Sequence, residues 1–269
     1  MMSARAPIGI FDSGAGGLTV LQAVARRMPG ENLIYFGDTA NLPYGTKSPR
    51  AVIRASVAVT RFLARQGIKA LVVACNTSSA LALPDISRAA KGIPVVGVIG
   101  PGARAAAQAA RGRPVGVVAT AATVSSGAYA RAVRSRAPRS RVISIACPLF
   151  VPLVEEGLWS GRIAQEVAAR YLPALRRARV KTLILGCTHY PLLKGVIRRA
   201  LGRGVRLVDS GEETARELEA LLKRRGLRRP GKASGRRRFY VSDDPARFSR
   251  LARRFLGRGV GKVILHGCE

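Results

Sequence analysis

Two thiols carry the chemistry open to this chain. Cys75 follows the apolar run Ala70 to Ala74 and is followed by Asn76 and Thr77; Cys187 follows Thr182 to Gly186 and is followed by Thr188 and His189. Each run reads as a buried strand, and each cysteine stands between strand end and helix start, where ligands bind in open α/β sheets. A helix N-terminus there stabilises a thiolate. Taken singly, either cysteine reads equally well as a small buried hydrophobe. Taken together, one in each half of the chain with the same small polar residues behind it, they suit a reaction needing a base on one face of a carbon and an acid on the other.

The elements that must position these thiols alternate along the whole chain. Strands are expected at 8–11, 33–36, 70–74, 95–99, 115–119, 142–146, 183–185, 205–208, 239–241 and 263–265. Helical periodicity lies between them, with Pro84 interrupting the helix after Cys75 and Pro191 opening the one after Cys187. This is an α/β protein with mainly parallel sheet. Gly100-Pro101-Gly102 is the candidate boundary between two similar units, and a helical region is expected to begin around Glu155-Glu156-Gly157. Ser210 and Glu213 match a capping box for the helix up to Arg225.

With 269 residues, 48% hydrophobic and 23% charged, the chain buries a proper core. No apolar run reaches the ~20 residues of a membrane span, and the start leaves no room for a signal-peptide core. A cytoplasmic protein with reduced thiols is the expectation. The net charge of +31 allows non-specific binding to polyanions, and the densest patch, 223–238, holds nine basic residues and no acid. Arginine-rich composition of this kind also follows from GC-rich codons, and 5% aromatics do not make a base-stacking platform. A nucleic-acid-binding protein on an enzyme-like scaffold stays as the alternative of a different class.

Other motifs carry less. Asp12-Ser13-Gly14 and Asp209-Ser210-Gly211 look like the halves of an aspartic protease, but both lead into helices rather than sheet, and the second reads as a helix cap. The glycines at 14, 16 and 17 complete neither a dinucleotide fingerprint nor a P-loop. Cys75, Cys147, Cys187, Cys268, His189 and His266 have no zinc-type spacing, so no metal is expected.

The stretches IGIFDSGAGGLTVL, YFGDTANLPYGTKS, LVVACNTSSA, VGVVATAATVSSGAY, CPLFVPLVEEG, LILGCTHYPLL and VDSGEETA, in that order, resemble the glutamate racemases of the aspartate/glutamate racemase superfamily along nearly the whole chain. The resemblance implies cofactor-independent interconversion of L- and D-glutamate, supplying D-glutamate for peptidoglycan. It implies Cys75 and Cys187 as the two acid/base residues, with Asp12 beside the first and Glu155 and His189 supporting the second. Asp12-Ser13, Tyr44-Gly45, Asn76-Thr77 and Thr188-His189 correspond to substrate-contacting pairs, joined by Thr120 and Thr123. It further implies a homodimer of pseudo-symmetric two-domain subunits with the site between the domains: residues 1–98 and 208–269 in one, 99–207 in the other. Ser78 stands where the family commonly has Ala, and the basic 223–238 stretch inherits no role.

Overall fold

The structure, a computed structural model, describes residues 2–231 and 233–267; Cys268 lies outside them. Its first half runs β1 (Ile8–Asp12), α1 (Leu18–Arg27), β2 (Leu33–Gly37), α2 (Pro49–Arg65), β3 (Ala70–Val73), α3 (Asn76–Leu81), α4 (Leu83–Ala89), β4 (Val95–Gly97) and α5 (Ile99–Ala110). The second runs β5 (Val115–Ala119), α6 (Ala121–Ser125), α7 (Ala128–Arg134), β6 (Val142–Ala146), α8 (Phe150–Glu155), α9 (Gly161–Tyr171), α10 (Pro173–Arg177), β7 (Thr182–Gly186), α11 (Lys194–Leu201), β8 (Arg206–Asp209) and α12 (Ser210–Arg224). The chain closes with β9 (Arg237–Val241), α13 (Pro245–Leu256) and β10 (Val263–Leu265).

Two wholly parallel sheets result, ordered β10-β9-β2-β1-β3-β4 and β6-β5-β7-β8. Helices cover the strands, so β1, β2, β3, β5 and β7 are buried at every residue and read as unbroken apolar runs rather than alternations. The order β2-β1-β3-β4 repeats as β6-β5-β7-β8, which makes β3 and β7, the strands leading to Cys75 and Cys187, topological equivalents. In each sheet the strand order reverses beside that strand, opening a crevice at the carboxyl ends. The α/β class expected from the alternation is the one observed.

Local geometry departs from the spacing in places. At the passage from the first sheet to the second, Gly100-Pro101-Gly102 is helical: it lies in the first turns of α5, whose Ile99, Ala103 and Ala106 pack under the second sheet. A Cβ on Gly102 would sit 3.2 Å from that of Ser210, so the glycine allows α5 and α12 to approach closely. Helix α12, which follows the second sheet, packs in turn against α1. The capping box also fails. Asp209 is the cap, its Oδ1 accepting from the amides of Gly211 and Glu212, while Ser210 Oγ donates to the Leu185 carbonyl and Glu213 pairs with Arg216. Glu155 ends α8 instead of beginning a helix. Pro84 breaks the helix after Cys75 into α3 and α4, as its ring requires.

The basic stretch is less free than its composition suggests. The Arg229 amide donates to Glu31 Oε1 at 2.9 Å and its guanidinium to Asn32 Oδ1 at 2.8 Å. Glu31 also accepts from Lys69 Nζ at 2.5 Å, in an ion pair whose two side chains are 0% exposed. Burial lowers the Lys69 pKa, and Arg228 and Arg229 add to this against the attraction of Glu31.

Candidate active site

The loops after β1 and β3 meet those after β5 and β7 around one cavity of about 360 Å³. Both thiols line it, with Ser13, Tyr44, Gly45, Asn76, Thr77, Thr120, Thr188, His189 and Glu155. Asp12 and Thr123 stand one layer behind. Leu42, Pro148, Val151 and Pro152, which the motifs did not single out, supply an apolar wall.

Cys75 caps α3 with its own sulfur, which accepts from the Ser78 amide at 3.5 Å and lies 3.8 Å from Ser13 Oγ. Burial pushes this thiol up to about 11; the nearby Asp12 charge adds to the rise and the hydrogen bonds of Ser78 and Ser13 pull it back. Asp12 accepts from the amides of Gly17 at 2.9 Å and Gly14 at 3.2 Å through one oxygen. Its other oxygen, Oδ1, has no partner among the described residues. Burial raises the Asp12 pKa above its usual value, against the opposing pull of His189 and the loop amides.

Cys187 has a different neighbour. The Nδ1 of His189 lies 3.8 Å from its sulfur, and Nε2 donates to Glu155 Oε1 at 3.2 Å. Burial works to lower the His189 pKa, but hydrogen bonds to Cys187 and Glu155, with their charges, outweigh it and hold the imidazole at about 10. Glu155 is held low: burial opposes this, and His189 and Arg247 prevail. An imidazolium therefore stands behind the second thiol and a carboxyl group behind the first.

The remaining polar groups around the cavity are neutral hydrogen-bonding side chains. Thr120 Oγ1 caps α6 and lies 3.0 Å from Thr77 Oγ1 and 2.9 Å from Thr123 Oγ1, a hydroxyl cluster joining the loops of the two sheets. Tyr129 donates to Asn76 Oδ1 at 2.7 Å, turning the carboxamide so that Nδ2, a donor, is buried without a partner among the described residues. Tyr44 donates to Asp38, and its hydroxyl pKa is raised, first by burial and then by that carboxylate. Gly16 is required for proximity: a Cβ there would lie 2.4 Å from Thr188 Oγ1 and 2.5 Å from the His189 ring. Thr19 Oγ1 donates to the Thr188 carbonyl at 2.8 Å, a second tie from the first half to the second.

Among the described residues no group of three His, Cys, Asp or Glu side chains could hold a metal ion, and Cys75, Cys147 and Cys187 are unbridged. No described helix is long and apolar enough to cross a membrane.

Two parallel-sheet units with a thiol from each on a shared cavity define a class, and comparison with known proteins agrees: the chain belongs to the Asp/Glu/hydantoin racemase family, whose model matches residues 13–218. Within it, the chain is similar to glutamate racemases. It is 53% identical over 256 residues to that of Geobacter metallireducens, covering 95% of this chain and 94% of the relative. The crystal structure of the Francisella tularensis enzyme with D-glutamate superposes with a TM-score of 0.92 at 38% identity, covering 99% of both chains. That of Thermus thermophilus, in complex with β-chloro-D-alanine, gives 0.89 at 48% identity, covering 98% of both.

Proposed function

We propose that this chain racemises glutamate by two-base catalysis, with Cys187 serving one face of Cα and Cys75 the other. Glutamate racemisation is the activity of the relatives it matches at high identity and coverage, and supply of D-glutamate for peptidoglycan is the role known for the family. The observation that carries the mechanistic reading is the placement of two thiols, on topologically equivalent strands, in one cavity.

In the L-to-D direction the Cα–H bond breaks, its electron pair stays on Cα as a carbanion, and the proton forms S–H on Cys187. The S–H of Cys75 then protonates the opposite face, leaving a thiolate there. With its pKa near 11, Cys75 holds the proton that this step needs at neutral pH. Positioned acid/base groups of this kind contribute about 10²- to 10⁴-fold each. The D-to-L direction starts from the reverse state, with Cys75 ionised and Cys187 protonated. His189, charged and held by Glu155, balances negative charge on the Cys187 side; Asp12, with its unpartnered oxygen, serves the Cys75 side. Asn76 Nδ2 and the hydroxyls of Ser13, Thr77, Thr120 and Thr188, with Tyr44 and Gly45, hold the substrate carboxylates, and Thr123 supports Thr77 and Thr120 from behind. No step in this reading uses a cofactor.

The chain division we propose follows the sheets: 1–98 with the C-terminal segment in one domain and the segment from 99 in the other. For the return crossing we choose the end of β8 rather than the expected 208, a choice supported by the pairing of Val208 and Asp209 in the second sheet. A cytoplasmic homodimer completes the proposal, as in the family it resembles, with light scattering the check on its mass. The charge of +31 adds a salt-dependent attraction to polyanions.

Racemisation in deuterated water tests the mechanism. With two bases, the first product formed carries deuterium at Cα while unreacted substrate keeps protium; a single base would return protium to the product. Cys75→Ser and Cys187→Ser should each lose racemisation in both directions, because enantiomers are equal in energy and kcat/KM must fall equally both ways. Full activity in either variant rules the two-thiol reading out.

A further inference from the structure

The site residues implied by the resemblance do not include Arg247, which lies on the last helix. Along α13, Arg247, Leu251, Arg254 and Phe255 follow the i, i+4, i+7, i+8 spacing of one face. That face bears on the support of Cys187. Arg247 Nη2 donates to Glu155 Oε2 at 3.2 Å while Glu155 Oε1 accepts from His189 Nε2 at 3.2 Å, so each carboxylate oxygen has its own cation. Arg254 donates to the Glu155 backbone carbonyl at the end of α8, and the Phe255 ring meets the imidazole edge-on at 5.9 Å and 85°.

The contact joins the two halves. Helix α13 packs on α1 and on β10 of the first sheet, whereas α8 and His189 belong to the loops of the second. The start of α13 is itself pinned, by Asp244 Oδ1 accepting from the Arg247 amide at 2.8 Å. Glu155 is 14% exposed and Arg247 50% exposed, so the guanidinium closes the solvent side of a carboxylate otherwise buried against the histidine. The other charged groups at this rim are Asp243, Asp244, Glu156, Arg250 and Arg254, and none is hydrogen-bonded to the carboxylate oxygens of Glu155.

We propose that Arg247 is a positioning residue for the Cys187 face: it fixes the Glu155 carboxylate so that His189 stays aligned behind the thiol, and it does so from the opposite half of the molecule. The proposal rests on the two-thiol reading. Arg247 touches neither thiol nor cavity, so its removal leaves substrate binding intact and slows the proton transfer at Cys187.

The test compares wild type, Arg247→Met and Arg247→Lys, with Cys187→Ser alongside. Arg247→Met should lower kcat by about tenfold, ~1.4 kcal/mol of barrier, with KM changed less than about twofold. The primary isotope effect on kcat/KM should rise for α-deuterated L-glutamate and fall for α-deuterated D-glutamate, since abstraction at the Cys187 face becomes the slower step. Arg247→Lys, keeping a cation, should recover most of the rate, which a fold defect would not do. Isotope effects unchanged between the enantiomers in Arg247→Met, with Cys187→Ser inactive, overturn the role of Arg247 and leave the two-thiol mechanism standing. Racemisation by Cys187→Ser overturns the mechanism and this proposal with it.

Discussion

Replacing Glu155 by Gln keeps the shape of the side chain behind His189 and removes its charge. The imidazole stands at about 10 because hydrogen bonds and charge from Cys187 and Glu155 overcome burial. A hydrogen bond to a charged group is worth about 1.5–3 kcal/mol. At 1.36 kcal/mol per pKa unit, losing that from the charged form lowers His189 by roughly 1–2 units, to between about 8 and 9. The sign follows from histidine being the conjugate acid: the charged form is present below its folded pKa and lost as pH rises through it. The alkaline limb of kcat/KM in Glu155→Gln should therefore move down by roughly 1–2 units. Near neutrality Glu155→Gln should lose about as much rate as Arg247→Met, roughly tenfold, and at about pH 9.5 it should fall close to a further tenfold behind wild type. Cys75, near 11, is untouched by the change and still limits the profile above that range. The assay is the initial rate of optical-rotation change, followed by circular dichroism across the pH series. An alkaline limb that stays in place would refute the assignment of His189 as a cation held by Glu155.

Further outcomes follow from the same geometry. Gly16→Ala places a methyl group 2.5 Å from the His189 ring, so kcat should fall by about 10²-fold, the cost of misplacing a catalytic group by about 1 Å, with the folded circular-dichroism spectrum retained. Asn76→Ala removes the unpartnered Nδ2, and KM for glutamate should rise by about tenfold to 100-fold, one hydrogen bond to a charged carboxylate of ~1.5–3 kcal/mol, in steady-state kinetics. Glu31→Gln strands the fully buried Lys69 without its counter-ion and should cost about 3–5 kcal/mol in urea unfolding, far from the cavity and with per-molecule activity of the folded fraction unchanged.

Elements whose signal lies within a few neighbouring residues were readable one by one. The runs before Cys75 and Cys187 are apolar throughout because both faces of their strands are covered, and Pro84, which cannot continue α3, stands in the first turn of α4. Local spacing misled where two patterns competed for the same residues. Ser210 and Glu213 have capping-box spacing, yet Asp209, one residue earlier, has the shorter reach to the free amides and takes the cap. Gly100-Pro101-Gly102 looks like a break, yet proline at an early helical position costs no hydrogen bond and Gly102 sits against the start of α12.

The sequence by itself determined the class of fold, the two thiols and the polar shell behind each, because residue type and one-dimensional period carry that information. Only the tertiary structure decided that β3 and β7 are equivalent strands opening onto one cavity, and that α5 and α12 each reach across to the other half. It alone showed the Asp12 carboxyl group buried behind Cys75 and the His189 ring held between Cys187 and Glu155. Those differences arise from burial and from partners far apart in the chain, such as His189 with Glu155 and Glu155 with Arg247, and no local period encodes a contact made by folding the chain back on itself.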